Sequence, residues 1–222
     1  MDLIGVFQEA APLLFEGLQT TLYVTSVSLV LAMVIGIFVC LMNMSKFKVL
    51  RAIAKFYIWL IRGTPMLVQA FYIYFAIPQL IQTITGGSFR IDVTTASMVT
   101  LTVNAGAYIS EIFRGAIQSV DKGQMEASRS LGVPYAATMR KIILPQAVRI
   151  CLPSLVNQCI ITLKDSTIMY AIGLPDIMNK AKVYVGRTFE SFATYTWVAI
   201  FFLVIISVLM LLSNYLEKRL NK

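Results

Sequence analysis

The chain has 222 residues, of which 58% are hydrophobic and only 14% are charged, and its net charge at neutral pH is +8. Because globular domains usually carry about 25% charged residues, this composition indicates a membrane protein, as does the mean hydropathy of +0.75. The sequence has no histidine and no G-x-x-x-x-G-K-[ST] motif. These absences exclude a Ser/His/Asp triad, a Cys/His pair, a histidine-bearing zinc site and a P-loop for ATP.

Five apolar segments predict five transmembrane helices in one all-α membrane domain that covers residues 1–222. A segment of about 20 apolar residues is long enough to cross the hydrocarbon core of a bilayer. The predicted spans, in chain order, are 20–44, 56–85, 93–117, 150–172 and 195–212. An odd number of spans places the two termini on opposite sides of the membrane.

The distribution of basic residues predicts the orientation of these spans. Twelve of the 19 Lys and Arg residues lie in the segments 45–55, 118–149 and 213–222, four lie in the segments on the other side, and the remaining three lie within spans. Cytoplasmic loops carry the excess of Lys and Arg. The sequence therefore predicts an external N-terminus and a cytoplasmic C-terminus, and the net charge of +8 indicates topology rather than a nucleic-acid partner.

The cytoplasmic segment 118–149 predicts two short helices that meet at a sharp bend. Residues 126–131 favour a helix, Gly132 interrupts it, and Pro134 suits the first turn of a second helix. Pro145 is predicted to end that second helix before the fourth span. A bent helix pair that projects from a membrane domain suits the groove of a partner protein, although an ordinary surface loop explains the composition equally well.

The same segment resembles the EAA loop of ABC-importer permeases, in which E-A-A is followed at fixed spacings by Gly, Ile and Leu-Pro. The matching residues here are Glu126, Ala127, Ser128 in place of the second Ala, Gly132, Ile142, Leu144 and Pro145. Three further stretches are similar to polar amino-acid permeases of this family: R-G-T-P at 62–65, A-Y-I-S-E-I-F-R-G at 107–115 and K-D-S at 164–166.

The resemblance implies the membrane subunit of a type I ABC importer in the cell membrane, with multiple spans and no enzymatic activity of its own. Two permease subunits, identical or paired with a sister, would sit on two cytoplasmic ATPases, which bind the ATP and magnesium, so that this chain needs no cofactor. An extracellular or periplasmic binding protein would deliver the amino acid. The residues implied to couple to the ATPases are Gly123, Glu126, Ala127, Gly132, Ile142, Leu144 and Pro145.

Polar side chains within the third span form a stripe on one helix face. Asn104, Tyr108 and Glu111 follow one another at i, i+4 and i+7. Because charged side chains in a bilayer are costly and commonly functional, this stripe is either one wall of a translocation cavity or a set of interhelical hydrogen bonds. Glu111 also lies three residues before Arg114, so a structural ion pair is the alternative to contact with the substrate.

The fourth span carries a second stripe, formed by Gln158, Thr162 and Asp165. An amino acid brings an ammonium group, for which Asp165 is the candidate acceptor, unless its carboxylate is bound by Lys164 or by a neighbouring helix. Gln158 both donates and accepts hydrogen bonds, which suits a neutral polar group. Thr64 lies where Pro65 interrupts the second span, and broken helices in transporters present polar groups to the substrate; a simple packing kink is the alternative.

These residues favour a polar amino acid without net charge as the substrate. Cystine is favoured first, because the stretch 187–190 is similar to a segment of cystine-type permeases, and glutamine second. Two other classes of protein compete with this interpretation. A secondary transporter or channel that needs no ATPase would also carry charges within its spans, but it would not need the EAA spacing. An intramembrane enzyme would have to rely on Lys164, Asp165 and Ser166, which point in different directions from a helix.

Overall fold

A computed structural model describes residues 3–220 of the chain, and this described part is helical, without β-strands. The helices are α1 (Leu3–Asn43), α2 (Lys48–Arg62), α3 (Met66–Thr85), α4 (Val93–Ser119), α5 (Lys122–Ser130), α6 (Tyr135–Ile172), α7 (Ile177–Thr188) and α8 (Ser191–Leu220). The last seven residues of α6, Ser166–Ile172, form a 3₁₀-helix.

Four helices of the described chain are long and apolar enough to cross a membrane: α1, α3, α6 and the part Ser191–Tyr215 of α8. The remaining predicted span corresponds to α4, which has 27 residues but a more polar composition. Several of its polar residues, including Ser97, Thr100 and Thr102, are buried. Since α4 packs along α1 and against α6, these hydroxyls face protein, and α4 is the central helix of the fold. The five-span count and the orientation stay predictions.

Helix α1 begins at Leu3, well before the predicted start of the first span at residue 20. Its N-terminal half packs against α7, which lies between the fourth and the fifth predicted spans. Leu14 and Ala10 of α1 form one core with Ile177 and Ala181 of α7, and all four are fully buried. Hydropathy sets the limit of a membrane span, whereas tertiary packing sets the limit of this helix.

The contact between α1 and α7 is closest at Gly17. A Cβ atom at this position would lie 2.7 Å from the Cα of Ile177 and 2.8 Å from the backbone carbonyl of Asp176. The neighbouring Thr21 accepts a hydrogen bond from the N–H of Ile177 at 3.2 Å. A side chain at Gly17 would therefore separate the two backbones.

Gly17→Ala is expected to lower the free energy of unfolding by about 3 kcal/mol, because rigid backbone must move to admit the methyl group. Thermal unfolding of the purified chain in detergent measures this change. The matched control is Gly186→Ala in α7, where no atom lies within 4 Å of the added Cβ, so that stability stays equal or rises by about 0.5 kcal/mol. Equal unfolding temperatures for the two variants would contradict this view of the contact.

Two prolines lie within long helices directly after π-helical turns. The turn Tyr72–Ala76 precedes Pro78 in α3, and the turn Met139–Ile143 precedes Pro145 in α6. A proline inside an α-helix clashes with the carbonyl four residues earlier, and the wider π-turn relieves this crowding. The prediction that Pro145 ends the second cytoplasmic helix is therefore wrong, since α6 continues through it.

Candidate functional site

A cavity of about 420 Å³ lies where the break between α2 and α3 faces α4 and α6. Five of the seven residues predicted to line the substrate pathway lie on its wall. These residues are Thr64, Asn104, Tyr108, Gln158 and Asp165, and the remaining wall is formed by Pro65, Met66 and Ile161. Residues from three separate spans therefore converge on one polar cavity, which we call the central cavity.

The break that forms one wall of the central cavity is held closed by Gln69. Its Nε2 donates to the carbonyl of Ile61 at 2.7 Å, the carbonyl of Thr64 at 3.1 Å and the hydroxyl of Thr64 at 2.9 Å. Its Oε1 accepts a hydrogen bond from Nδ2 of Asn104 at 2.9 Å. Gln69 thus satisfies carbonyls that the break leaves without helical partners and joins the break to α4. Gln69 was not among the predicted site residues, although an amide in an apolar stretch five residues after Thr64 is a usable signal.

Gln69→Met is expected to lower the free energy of unfolding by about 2–3 kcal/mol, because a buried carbonyl and a buried amide lose their partners while the shape is kept. Gln79→Met on the same helix is the control, since Gln79 is exposed and its side chain has no hydrogen bond in the described part of the chain. Thermal unfolding in detergent compares the two. An equal effect of both changes would contradict the role of Gln69.

The α6 wall of the central cavity presents one amide and one carboxylate. Gln158 is buried, and its Nε2 donates to the hydroxyl of Thr162 at 3.3 Å, which in turn donates to the carbonyl of Gln158 at 2.9 Å. Thr162 is thus placed behind Gln158 rather than on the cavity wall. Within residues 3–220 the carboxylate of Asp165 has no hydrogen bond or salt bridge, so the predicted alternative of a salt bridge to Lys164 or to a neighbouring helix is not observed.

Glu111 lies outside the central cavity and forms the ion pair that the sequence offered as an alternative. Its carboxylate accepts two hydrogen bonds from Arg114, at 2.9 and 2.7 Å, and a third from Nδ2 of Asn43 at 3.3 Å. The guanidinium of Arg62 lies 4.0 Å from the same carboxylate and 5.1 Å from the ring centre of Tyr108. Glu111, Arg114 and Arg62 thus form a charged cluster. Because Tyr108 lines the central cavity, this cluster bounds the central cavity on the side that faces residues 43–55.

A second cavity, of about 650 Å³, begins at this cluster. It lies between the end of α1, one face of α2 and the C-terminal part of α4. Its wall includes Glu111 and Arg114 together with Asn43, Met44, Arg51, Lys55, Ile58, Trp59 and Gln118. We call it the lower cavity, because the basic residues around it predict that it faces the cytoplasm.

The bent helix pair predicted in segment 118–149 consists of α5 and the first turns of α6. Gly132 has a φ of +80°, a conformation that glycine adopts without the penalty of a Cβ atom. Ser128 is buried, and its hydroxyl lies 2.8 Å from that of Thr138 across the bend. This hydrogen bond explains why a serine suits the position where the family pattern has alanine. At the tip of the bend, Leu131 is 84% exposed.

The residues that carry the EAA resemblance lie on two different surfaces. Gly123, Glu126 and Ala127 are exposed on α5, where a partner can reach them. Ile142 instead packs against the core around Ala116 and Ile143, and Leu144 lines an apolar cavity with Cys40 and Cys151. The C-terminal part of the pattern thus anchors the bent helix pair to the membrane domain.

The described residues contain no group of three or more His, Cys, Asp or Glu side chains that could hold a metal ion. The two cavities are instead lined by amides, hydroxyls, aromatic rings and a few charges. Such an arrangement can bind and release a small polar molecule, and it offers no nucleophile activated by a neighbouring base.

The fold, the polar cavity between spans and the bent helix pair define a membrane permease. Residues 11–222 match the family described as binding-protein-dependent transport system inner membrane component, and the chain belongs to this family. It is therefore a multi-pass membrane protein and the permease subunit of an amino-acid ABC importer, in which the ATPase is a separate subunit. Permeases of this type work with ATPase subunits and substrate-binding proteins, which sets aside a carrier without an ATPase and an intramembrane enzyme.

Among curated relatives, the chain is 39% identical over 211 residues to the probable amino-acid ABC transporter permease protein YckA of Bacillus subtilis, covering 95% of this chain and 90% of the relative. It is 37% identical to the glutamine transport system permease protein GlnP of Escherichia coli, covering 96% and 94%. It is 36% identical to the arginine transport system permease protein ArtQ of Bacillus subtilis, covering 95% and 93%.

Solved structures give the same assignment. A crystal structure of an amino acid ABC transporter with histidines superposes with a TM-score of 0.91 at 36% identity, covering 99% of both chains. The inward-facing MetNI methionine ABC transporter superposes with a TM-score of 0.77 at 21% identity, covering 95% of this chain and 97% of the other. At that identity the second likeness concerns the fold alone.

Proposed function

We propose that this permease imports a polar amino acid without net charge, and that the central cavity binds the amino acid during translocation. The observation that carries the proposal is the charge of the cavity wall. Asp165 is the only carboxylate among the residues that line it. Within residues 3–220 its carboxylate has no hydrogen bond or salt bridge, so it is available to the ammonium group of an amino acid.

The neighbouring side chains support a neutral substrate. Gln158 and Asn104 contribute amides and Tyr108 contributes a hydroxyl, and such groups donate to or accept from an uncharged side chain. The hydroxyl of Thr64 already donates to the carbonyl of Leu60 and accepts from Gln69. A guanidinium or a second ammonium group would require a further carboxylate, because an unpaired charge in a low-dielectric site is costly. Glu111 does not provide it, since Arg114 and Arg62 already neutralise that carboxylate.

Glutamine and cystine both belong to this class of substrate. The name of the glutamine permease GlnP supports testing glutamine first. Cystine, which was favoured first because of the stretch 187–190, becomes the second candidate. The arginine permease ArtQ is almost equally similar in sequence. Overall sequence identity therefore does not distinguish neutral from basic substrates, and the distinction has to come from the residues of the central cavity.

The bent helix pair is proposed as the element that couples this permease to its ATPases. Its exposed α5 surface and the tip at Leu131 suit a groove on a cytoplasmic partner. Ile142, Leu144 and Pro145 join the first turns of α6, which belong to the pair, to the part of the same helix that carries Gln158 and Asp165 in the central cavity. Motion of the docked pair would therefore reach the substrate through one helix. Two permease copies, or this chain and a sister, on two ATPases complete the proposed assembly.

The test is uptake of labelled glutamine and of labelled cystine by proteoliposomes that contain the permease, its ATPase and its binding protein. We expect ATP-dependent uptake of a neutral polar amino acid that excess arginine does not inhibit. Because the binding protein also selects, uptake is compared with ATPase stimulation by the same amino acids. ATP-dependent uptake of arginine would overturn the proposed substrate class.

A further inference from the structure

The lower cavity has properties that transport of a neutral amino acid does not explain. Three of its wall residues are basic, namely Arg51, Lys55 and Arg114, and only Glu111 is acidic. The carboxylate of Glu111 is already bound by the two hydrogen bonds from Arg114 and the one from Asn43. The cavity therefore has an excess of positive charge, which Arg51 and Lys55 contribute.

These two cations leave most of their hydrogen-bonding capacity unused. Lys55 has no hydrogen bond or salt bridge within the described residues. Arg51 donates only to the carbonyl of Ser45, from Nε at 3.3 Å and from one terminal nitrogen at 2.7 Å. Since the two residues are four apart on α2, their side chains lie on the same helix face. Two cations on one helix face suit an anion with several acceptor oxygens.

The opening of the lower cavity is bordered by apolar side chains that are exposed on the same helix. Trp59 lies on the cavity wall and is 69% exposed, and Phe56, whose ring centre is 5.9 Å from that of Trp59, is also exposed. Ile53 and Leu60 of the same helix are exposed as well. Aromatic and basic residues occur together where a protein meets the headgroups of a membrane. A soluble anion would leave this border uncovered, whereas a lipid covers it with its acyl chains.

We propose that the lower cavity binds the phosphate group of an anionic phospholipid from the cytoplasmic leaflet. Arg51 and Lys55 hold the phosphate, and the acyl chains lie against Trp59 and Phe56. Basic pockets between helices on the cytoplasmic side of membrane proteins suit anionic headgroups. The bound lipid lies next to the cluster of Glu111, Arg114 and Arg62, so its charge acts on the boundary between the two cavities.

The two tryptophans of the sequence allow a direct test of this site. In the full-length chain with Trp197→Phe, Trp59 is the only tryptophan and reports on its own neighbourhood. The chain is reconstituted in nanodiscs of phosphatidylcholine, with either brominated phosphatidylglycerol or brominated phosphatidylcholine added at equal mole fraction. Bromine quenches tryptophan fluorescence at short range. We expect stronger quenching by the brominated anionic lipid.

Charge variants make the test specific for the lower cavity. Arg51→Gln with Lys55→Gln is expected to weaken the preference for the anionic lipid about 30-fold, since each substitution removes a charge-assisted contact with the phosphate that is worth about a factor of five. The control is Lys46→Gln with Lys48→Gln, which removes the same charge from the same segment but not from the cavity wall. Glu111→Gln, which releases Arg114, is expected to strengthen the preference.

The following outcomes would overturn the proposal. Equal quenching by the two brominated lipids would exclude a specific site for the anionic lipid. An equal loss of the preference for the anionic lipid in both double variants would show that the whole basic segment attracts the lipid, without a site in the lower cavity. Displacement of the anionic lipid by excess inorganic phosphate, but not by chloride at the same ionic strength, would assign the cavity to a soluble anion. Circular dichroism confirms that each variant is folded. None of these readouts depends on transport, so they are independent of the substrate assignment.

Discussion

Leu131→Glu is expected to separate the permease from its ATPase. Leu131 projects from the tip of the bent helix pair, where 84% of its surface is exposed, and an exposed leucine on the predicted cytoplasmic side suits an apolar pocket of a partner. A carboxylate in such a pocket would be buried without a counterion. We expect affinity for the ATPase to fall at least about 30-fold, measured by co-purification and by the ATPase rate of the reconstituted complex.

The matched control is Phe47→Glu, because Phe47 is 72% exposed and is also predicted to face the cytoplasm. This change should leave the complex intact. Leu131→Glu should also leave the fold intact, since Leu131 packs in none of the core clusters, and thermal unfolding in detergent verifies this. Normal recovery of the ATPase with Leu131→Glu would show that the tip is not the docking surface.

Asp165→Asn is expected to abolish uptake while the ATPase stays bound. The substitution keeps the shape of the side chain but removes the charge that is proposed to hold the substrate ammonium group. Losing one partner of a desolvated charge pair costs about 2–5 kcal/mol, so uptake at low substrate concentration should fall at least about 30-fold. Labelled amino-acid uptake in proteoliposomes measures the loss, and recovery at high substrate concentration indicates weakened binding.

Asp92→Asn serves as the control for the loss of an acidic residue. Asp92 is exposed and caps α4 by accepting a hydrogen bond from the N–H of Thr95 at 2.9 Å, and asparagine caps helices equally well. This variant should transport normally. Unchanged uptake in Asp165→Asn would remove Asp165 from the substrate path, and loss of the ATPase from that variant would assign it a structural role instead.

The residues of the central cavity could be predicted because each stripe depends only on helical periodicity. Asn104 and Tyr108 on α4, and Gln158 and Asp165 on α6, do face one space. Periodicity could not predict that Glu111, on the same stripe of α4, lies beyond the cavity, because its contacts with Asn43 of α1 and Arg62 of α2 depend on how the helices pack. These residues can be read from the sequence, but the angle and position at which their helices cross cannot.

The features that were missed depend on tertiary contacts or on unusual helical turns. The N-terminal half of α1 is helical through its packing against α7, which no local pattern reveals. Pro145 does not end its helix, because a π-turn precedes it, and π-turns have no clear sequence signature. Thr64 illustrates a mixed result, since its position at a break was predicted but its bond to Gln69 was not.

The clamp formed by Gln69 has a consequence for how this permease moves. Interrupted helices often serve as hinges, yet here one amide ties the end of α2, the break itself and Asn104 of α4 together. Bending at Pro65 would break several buried hydrogen bonds at once, so α2, α3 and the middle of α4 are expected to travel as one rigid unit. Alternating access would then come from displacement of α6 against this unit, which widens or closes the space between Thr64 and Asp165.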